Sequence, residues 1–346
     1  PSTDSCGSDE RTRIGYVRVI DFDGSGTPDL VRVWNGTWEV RLASRVRPEL
    51  LVQIQNGLGG QTDYTWGSAT GRKNLGQLHF AVPVVDTIVA RDGTGRADAT
   101  GYLYRDPFYD RSAREFRGFG KVELQQQDSI GTPARYTEVL FAAGAPDRLL
   151  SVPLGGGCVE TWADGPGLAG RVIGVRQRAV SESTFRFERW TPWELPKIAP
   201  DRFTPRLLKT RSLWAEPGGA TKLVTTRSLF DENGNLLRRV SDGETGVSAG
   251  CVLDAATSND EVTTQVSWAQ DPAAWIFRPS EVKACASEAC AGDVLRHRRL
   301  YYDQNSSLGL VSAGDLTKSE TWVAFANETP QWTEALFDRD TFGNVT

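Results

Sequence analysis

The sequence contains no methionine, only two histidines and five cysteines among its 346 residues. No stretch approaches the roughly 18 consecutive apolar residues that a membrane-spanning helix needs, so we expect no membrane span. Basic side chains do not outnumber acidic ones, and the net charge is −5 at pH 7. Because a nucleic-acid-binding surface usually needs a basic surplus, this composition argues against a nucleic-acid partner.

Recognisable catalytic motifs are also missing. Neither His79 nor His297 has a Ser or Cys and a carboxylate beside it in a pattern for nucleophilic catalysis. The sequence has no phosphate-binding loop and no dinucleotide fingerprint. A secreted hydrolase would need a pair of inward-facing carboxylates, and no spacing singles one out. We therefore predict that the chain is not an enzyme.

Helical periodicity is scarce, since it nowhere persists for more than about two turns. The sequence instead has 35 glycines and 11 tryptophans. Short alternating runs, "YVRVI", "DLVRVW" and "TWEVRLA", come early in the sequence and are separated by Gly, Asp and Asn turns. This composition favours strands and tight turns over helices. The predicted fold class is mostly β.

Residues 19–34, "VIDFDGSGTPDLVRVW", crowd aspartates and glycines between two apolar runs. A calcium loop takes oxygen ligands from positions 1, 3, 5, 7 and 9, and a glycine at position 6 allows a sharp bend. The residues at these ligand positions are Asp21, Asp23, Ser25, Thr27 (through its carbonyl) and Asp29. Because closely packed carboxylates repel unless a divalent cation neutralises them, we predict a structural Ca²⁺ here.

The flanks of this loop distinguish it from an EF-hand. Arg32 stands at position 12, where an EF-hand has a bidentate Glu, and the flanking residues read as strands. The loop resembles the β-flanked version found in β-propeller blades of the FG-GAP type. Its role would be structural, pinning a hairpin between strands. The alternative is a metal-free cluster of Asx turns.

The five cysteines indicate a cellular compartment. Cys285 and Cys290 enclose the four residues "ASEA", a loop short enough for a disulfide, which would imply an oxidising, extracellular destination. The odd count leaves at least one thiol without a partner in the chain. The alternative is that all five are scattered thiols of a cytosolic protein.

A faint repeat recurs in the second half. "LFDENGNLLRRV" at 229–240 and "RDTFGNVT" at 339–346 share an Asp, two residues, Gly-Asn and an apolar residue. "LYYDQNS" at 300–306 keeps the aromatic-Asp pair without the Gly-Asn. Gly-Asn tolerates the positive φ angles of tight hairpins, and such hairpins must stack on their neighbours to bury a face.

Three runs between residues 50 and 123 resemble a known family. They are "LLVQIQNGLGGQTDYTWGSAT", "FAVPVVDTIVARD" and "GYLYRDPFYDRSAREFRGFGKVE". In this order and spacing they resemble the middle region of the B component of tripartite Tc insecticidal toxins, a relative of the Rhs/YD-repeat class. The resemblance implies a β-hairpin shell that encloses a C-terminal toxic polypeptide. It also implies a propeller that closes the shell and docks onto a translocation channel.

The resemblance divides the chain into four predicted segments. They are 1–46, a last propeller-type blade with the calcium loop; 47–150, a Tc-toxin-B-like β region; 151–220, a Gly/Pro-rich connector or irregular β segment; and 221–346, degenerate YD-repeat hairpins. The family's Asp-Pro-x-Gly self-cleavage motif is not matched, since "DPAAW" at 271–275 lacks the glycine. Because "PSTDSCGSDE" is polar and contains no signal peptide, we expect a piece of a longer protein.

These observations lead to one predicted function and one alternative. The prediction is a secreted, non-enzymatic structural part of an Rhs/Tc-type toxin shell that encapsulates and helps deliver a C-terminal toxic polypeptide. Its partners would be the rest of the shell, the toxin cargo and a Tc translocation channel component. The alternative is a secreted or cell-surface adhesion protein built from calcium-stabilised β repeats.

Overall fold

The structure is a computed structural model, and the residues that it describes are 16–34, 36–43, 49–69, 78, 80–127, 133–145, 148–155, 158–195, 197–199, 202–203, 205–215, 221–245, 260–290, 294–323, 331–340 and 344–345. Cys6, His79 and Cys251 lie outside these residues, as does the predicted boundary between residues 46 and 47. Within the described residues there are 25 strands and a 3₁₀ turn at Pro166–Leu168. The prediction of a mostly β fold is confirmed.

The chain divides into two compact units. Unit 1 comprises Pro1–Ala143 and Gln177–Thr184, and unit 2 comprises Gly144–Arg176 and Phe185–Thr346. Strand β12 (Val172–Ala179) therefore begins in unit 2 and ends in unit 1. The four predicted segments stay predictions. Among the described residues, no helix combines the length and the apolar character that crossing a membrane requires.

Unit 1 contains a three-stranded antiparallel sheet and a longer meander. The small sheet has the order β1 (Tyr16–Ile20), β2 (Asp29–Trp34), β3 (Thr37–Arg41). The meander pairs each strand with the next: β4 (Gln53–Gln55), β5 (Gln61–Ser68), β6 (Pro83–Arg91), β7 (Ala97–Asp110), β8 (Glu115–Gln127) and β9 (Pro133–Phe141). Because each strand follows its partner in sequence, most connections are short hairpins.

Unit 2 begins with small strand pairs and continues as a second meander. The pairs are β10 (Leu149–Gly155) with β11 (Cys158–Ala163), β14 (Trp193–Glu194) with β17 (Arg206–Leu207), and β15 (Lys197–Ala199) with β16 (Arg202–Phe203). The meander has the order β13 (Phe187–Trp190), β18 (Lys209–Ala215), β19 (Thr221–Phe230), β20 (Leu236–Thr245), β21 (Val262–Asp271), β22 (Ile276–Cys285), β23 (Val294–Tyr302), β24 (Leu316–Val323), β25 (Gln331–Leu336).

Alternation along the strands decides which side chains are buried in unit 2. In β19, Leu223 and Thr225 are buried, whereas Val224 between them is only partly buried. Such period-two burial is what a sheet with one covered face requires. A small apolar cluster of Ala269, Leu300 and Tyr302 lies further along the meander. These buried faces hold the hairpins in register.

Candidate metal centre and hairpin loops

The acidic loop lies between β1 and β2, whose pairing of Ile20 with Asp29 brings its two ends together. Gly24 and Gly26 have φ angles of 72° and 83°, which a side chain would disfavour. The loop can therefore turn tightly enough to bring its aspartates to one place. Oxygens of Asp21, Asp23 and Asp29 lie within 4.8 Å of one another.

Hydrogen bonds to backbone N–H groups orient these carboxylates. Asp29 is 1% exposed, and its two oxygens accept from Phe22 N at 2.8 Å and Ala43 N at 2.7 Å. The Asp21 carboxylate accepts from Gly26 N at 2.8 Å. Asp23 Oδ1 accepts from Ser25 N at 3.0 Å. The carboxylates therefore brace the loop through backbone N–H groups of the loop and of Ala43 beyond β3, as the metal-free alternative also requires.

The geometry of the cluster is compatible with Ca²⁺. With Ca–O distances of 2.3–2.6 Å, two oxygens on opposite sides of one ion lie about 4.6–5.2 Å apart. The three carboxylate oxygens lie within 4.8 Å of one another, so one ion could contact all three. The structure brings Ser25 and Thr27 into the same loop, where their hydroxyl oxygens are 2.8 Å apart. The three aspartates thus lie together, Ser25 and Thr27 lie in the same loop, and calcium binding itself stays a prediction.

The faint repeat corresponds to one loop geometry used twice. Asp231 N donates to the Asn235 carbonyl at 2.9 Å, and Asn235 N and Nδ2 donate to the Asp231 carboxylate at 2.8 and 2.9 Å. Asp340 and Asn344 make the same three bonds at 3.0, 2.9 and 3.0 Å. The Asp closes the loop and the Asn four residues later completes it, which explains their shared spacing.

Two further aspartates close loops: Asp303, in the aromatic-Asp pair noted at 300–306, and Asp110, which sequence reasoning missed. The Asp303 carboxylate accepts backbone N–H bonds from residues 312–315 at 2.6–3.2 Å. Asp110 accepts from Ser112 N and Ala113 N at 2.8 and 3.0 Å. In both places the Asp follows a Tyr at a strand end, as in "FYD" and "YYD". The Tyr-Asp dipeptide was the sequence signal from which the loop closure at Asp110 could have been predicted.

The predicted disulfide is confirmed. Cys285 at the end of β22 is bonded to Cys290, with a Cα–Cα distance of 5.1 Å. The two half-cystines are 0% and 7% exposed. The disulfide therefore closes a short loop in the β22–β23 connection, and both half-cystines are buried.

Taken together, these features define a class of protein: consecutive antiparallel hairpins whose loops are closed by aspartates. Residues 5–142 match the sequence model of a family described as the insecticide toxin TcdB middle/N-terminal region. Residues 5–142 are therefore similar to the middle region of a Tc toxin B component. No curated protein matches the chain in a sequence search.

Solved structures of Tc toxin components share the fold. A TcdB2-TccC3-Cdc42 crystal structure matches with a TM-score of 0.64 and 14% identity, covering 89% of this chain and 20% of that one. The TcdB2-TccC3 crystal structure matches with a TM-score of 0.63, 14% identity and the same coverages. A Photorhabdus luminescens Tc holotoxin pore matches with a TM-score of 0.64 and 14% identity, covering 89% and 19%. The chain thus spans about one fifth of the length of these proteins.

Proposed function

We propose that the chain is a non-enzymatic structural part of a Tc-type toxin shell that encapsulates a C-terminal toxic polypeptide and helps deliver it. The observation that carries this proposal is that a sequence similarity and a fold similarity both point to Tc toxin components. The family match covers residues 5–142, and the shared fold extends over 89% of the chain. A container wall needs sheet area and closed loops rather than a reactive centre, and the meanders of both units provide these features.

The hairpins of unit 2 fit the Rhs/YD-repeat part of the proposal. The loops at Asp231 and Asp340 have the same hydrogen bonds, and Asp303 follows Tyr302 at a third strand end. A lone two-stranded hairpin is marginally stable in water, so repeated hairpins gain stability by pairing edge to edge. The partners would be the rest of the shell, the toxin cargo and a translocation channel. The parent would be secreted.

The small sheet of unit 1 fits a blade of an FG-GAP-type propeller. Its side chains Tyr16, Val19 and Trp38 are 63%, 67% and 63% exposed. Large apolar side chains on an open sheet are normally covered in a whole protein. We infer that other sheets of the parent pack against them, and that Ca²⁺ in the adjoining acidic loop stiffens the β1–β2 hairpin.

Two substitutions separate a predicted calcium ligand that acts mainly through the ion from one that also has a structural role without it. Asp23→Ala should lower the melting temperature by several degrees in calcium and by much less in chelator, because only the calcium-bound form loses a ligand. Asp29→Ala should lower it in both, since Phe22 N and Ala43 N lose their buried acceptor. Thermal unfolding of the full chain in calcium and in chelator gives the comparison. An equal loss for Asp23→Ala in both solutions would show that no calcium is bound there.

The encapsulation proposal is tested on the full-length parent. The native parent is treated with protease, and mass spectrometry identifies the polypeptides that co-elute. We expect a protected C-terminal polypeptide that is released only on denaturation. The matched control is the same C-terminal polypeptide produced alone, which should be digested.

Rapid digestion of everything beyond the shell region would show that the hairpins enclose nothing. A calcium-stabilised adhesion protein would then be the better description.

A further inference from the structure

The disulfide-bonded loop of residues 285–290 makes contacts well beyond its own hairpin. Glu288, in the middle of this loop, is exposed, while both half-cystines are buried. Its carbonyl accepts from Thr263 Oγ1 at 3.1 Å, and Thr263 is 0% exposed. The loop therefore lies over β21, the strand next to its own hairpin.

The Glu288 side chain reaches two strands further, to β20 and β19. Its Oε1 accepts from Arg227 Nη2 on β19 at 3.0 Å and lies 3.9 Å from Arg238 Nη2 on β20. Arg227 also donates to Asp242 on β20, at 2.6–3.0 Å. The hydrogen bond to Asp242, reinforced by Glu288, raises the pKa of Arg227, so this guanidinium stays charged. Glu288 thus links the β22–β23 connection to β19 and β20 within unit 2.

Such a bridge depends on how firmly the loop is held. Exposed ion pairs between long side chains contribute little when both partners must be ordered on forming the contact. A covalent closure of the loop removes part of that ordering cost, because Glu288 is held near Arg227 beforehand. The disulfide and the ion pair should therefore act together.

We propose that the Cys285–Cys290 disulfide is a redox-sensitive clamp that holds Glu288 against Arg227 and Arg238. Reduction by a dithiol breaks the Sγ–Sγ bond, transfers two electrons and two protons to Cys285 and Cys290, and converts the dithiol to its disulfide. The loop then loses its closure, and β19 and β20 lose the anion that links them to β22–β23. Both half-cystines are buried, so reduction requires local opening of the loop.

The test compares hydrogen exchange of the full chain with and without dithiothreitol. In the wild type, reduction should speed exchange several-fold in peptides from β19 and β20 as well as in residues 285–290. Glu288→Ala should already exchange faster in β19 and β20, and dithiothreitol should add little there. Glu194→Ala, which removes an exposed acid on β14, is the matched control and should behave as the wild type.

A second variant ties the effect to this pair of cysteines. In Cys285→Ala/Cys290→Ala, dithiothreitol should change nothing in β19 and β20. The proposal is overturned if reduction speeds exchange only within residues 285–290. It is equally overturned if dithiothreitol has the same effect on β19 and β20 in Glu288→Ala as in the wild type. The wild-type comparison does not depend on the double variant folding.

Discussion

Replacing Asp303 should make the stability of the chain depend less on pH. Its carboxylate accepts four backbone N–H bonds at 2.6–3.2 Å and a bond from Ser312 Oγ at 3.2 Å. Partial burial raises the pKa of Asp303, but the backbone bonds outweigh it and lower the pKa from 3.8 to about 2. Asp303 therefore stays ionised in the folded chain at pH values where an unfolded chain would protonate it.

The direction of the pH effect follows from this lowered pKa. Because the unfolded chain binds the proton more readily, Asp303 stabilises the fold above about pH 5 and loses that contribution as the pH falls towards 2. A lowering of about two units corresponds to about 2.5 kcal/mol at most. Solvent screening at this loop reduces the figure to about 1–1.5 kcal/mol. About half of the contribution should be gone by pH 3.

The assay is urea unfolding of the wild type and Asp303→Asn between pH 7 and pH 3. The asparagine keeps the shape of the side chain, removes the charge and replaces one acceptor by a donor. We expect the free energy of unfolding of Asp303→Asn to be lower than that of the wild type by about 1–1.5 kcal/mol at pH 7. This difference should be about half as large at pH 3. Asp338→Asn, an exposed carboxylate beyond β25, controls for the change in net charge. A difference in free energy of unfolding between the two proteins that stays constant with pH, or is absent at pH 7, would refute the reasoning.

Two further substitutions test tertiary contacts, both by urea unfolding. Gly93→Ala should lower the free energy of unfolding by about 2 kcal/mol, because Gly93 has a φ of 81° and a Cβ would lie 2.7 Å from the Gly59 carbonyl oxygen. Gly57→Ala, with no heavy atom within 4 Å of its Cβ position, should change it by less than about 0.5 kcal/mol; similar losses for the two would contradict the packing argument. Asp164→Ala should cost about 3 kcal/mol, since this buried carboxylate accepts three backbone N–H bonds at 2.8–3.2 Å. A loss below about 1 kcal/mol would show that other groups satisfy those donors.

The sequence was sufficient for features built from neighbouring residues. Alternation in "YVRVI" and "DLVRVW" predicted strands, and residues 16–20 and 29–34 form β1 and β2. The spacing of Asp21, Asp23 and Asp29 predicted a cluster, because a loop of nine residues can hardly keep three carboxylates apart. The Cys285–Cys290 disulfide was predictable for the same reason: its loop is short.

Contacts between distant residues were outside the reach of sequence reasoning. Asp164 accepts from Gly144 N, 20 residues away. Glu288 pairs with Arg227, 61 residues away. Either acid could equally have been a solvated surface charge, since its local sequence contains no sign of its partner. For residues 151–220 the sequence predicted a Gly/Pro-rich connector or an irregular β segment, and it did not indicate how strands β10 to β18 pair.

The sequence by itself determined that the fold is mostly β, that one early loop gathers three aspartates and that one late loop encloses two cysteines. Each of these depends on residues a few positions apart, whose proximity the backbone guarantees. Only the tertiary structure decided that β13 pairs with β18, although other strands lie between them in the sequence. Only the tertiary structure likewise decided that Glu288 contacts residues of β19, β20 and β21. These choices depend on the register and order of the sheet, which arise from burying one face of many strands together.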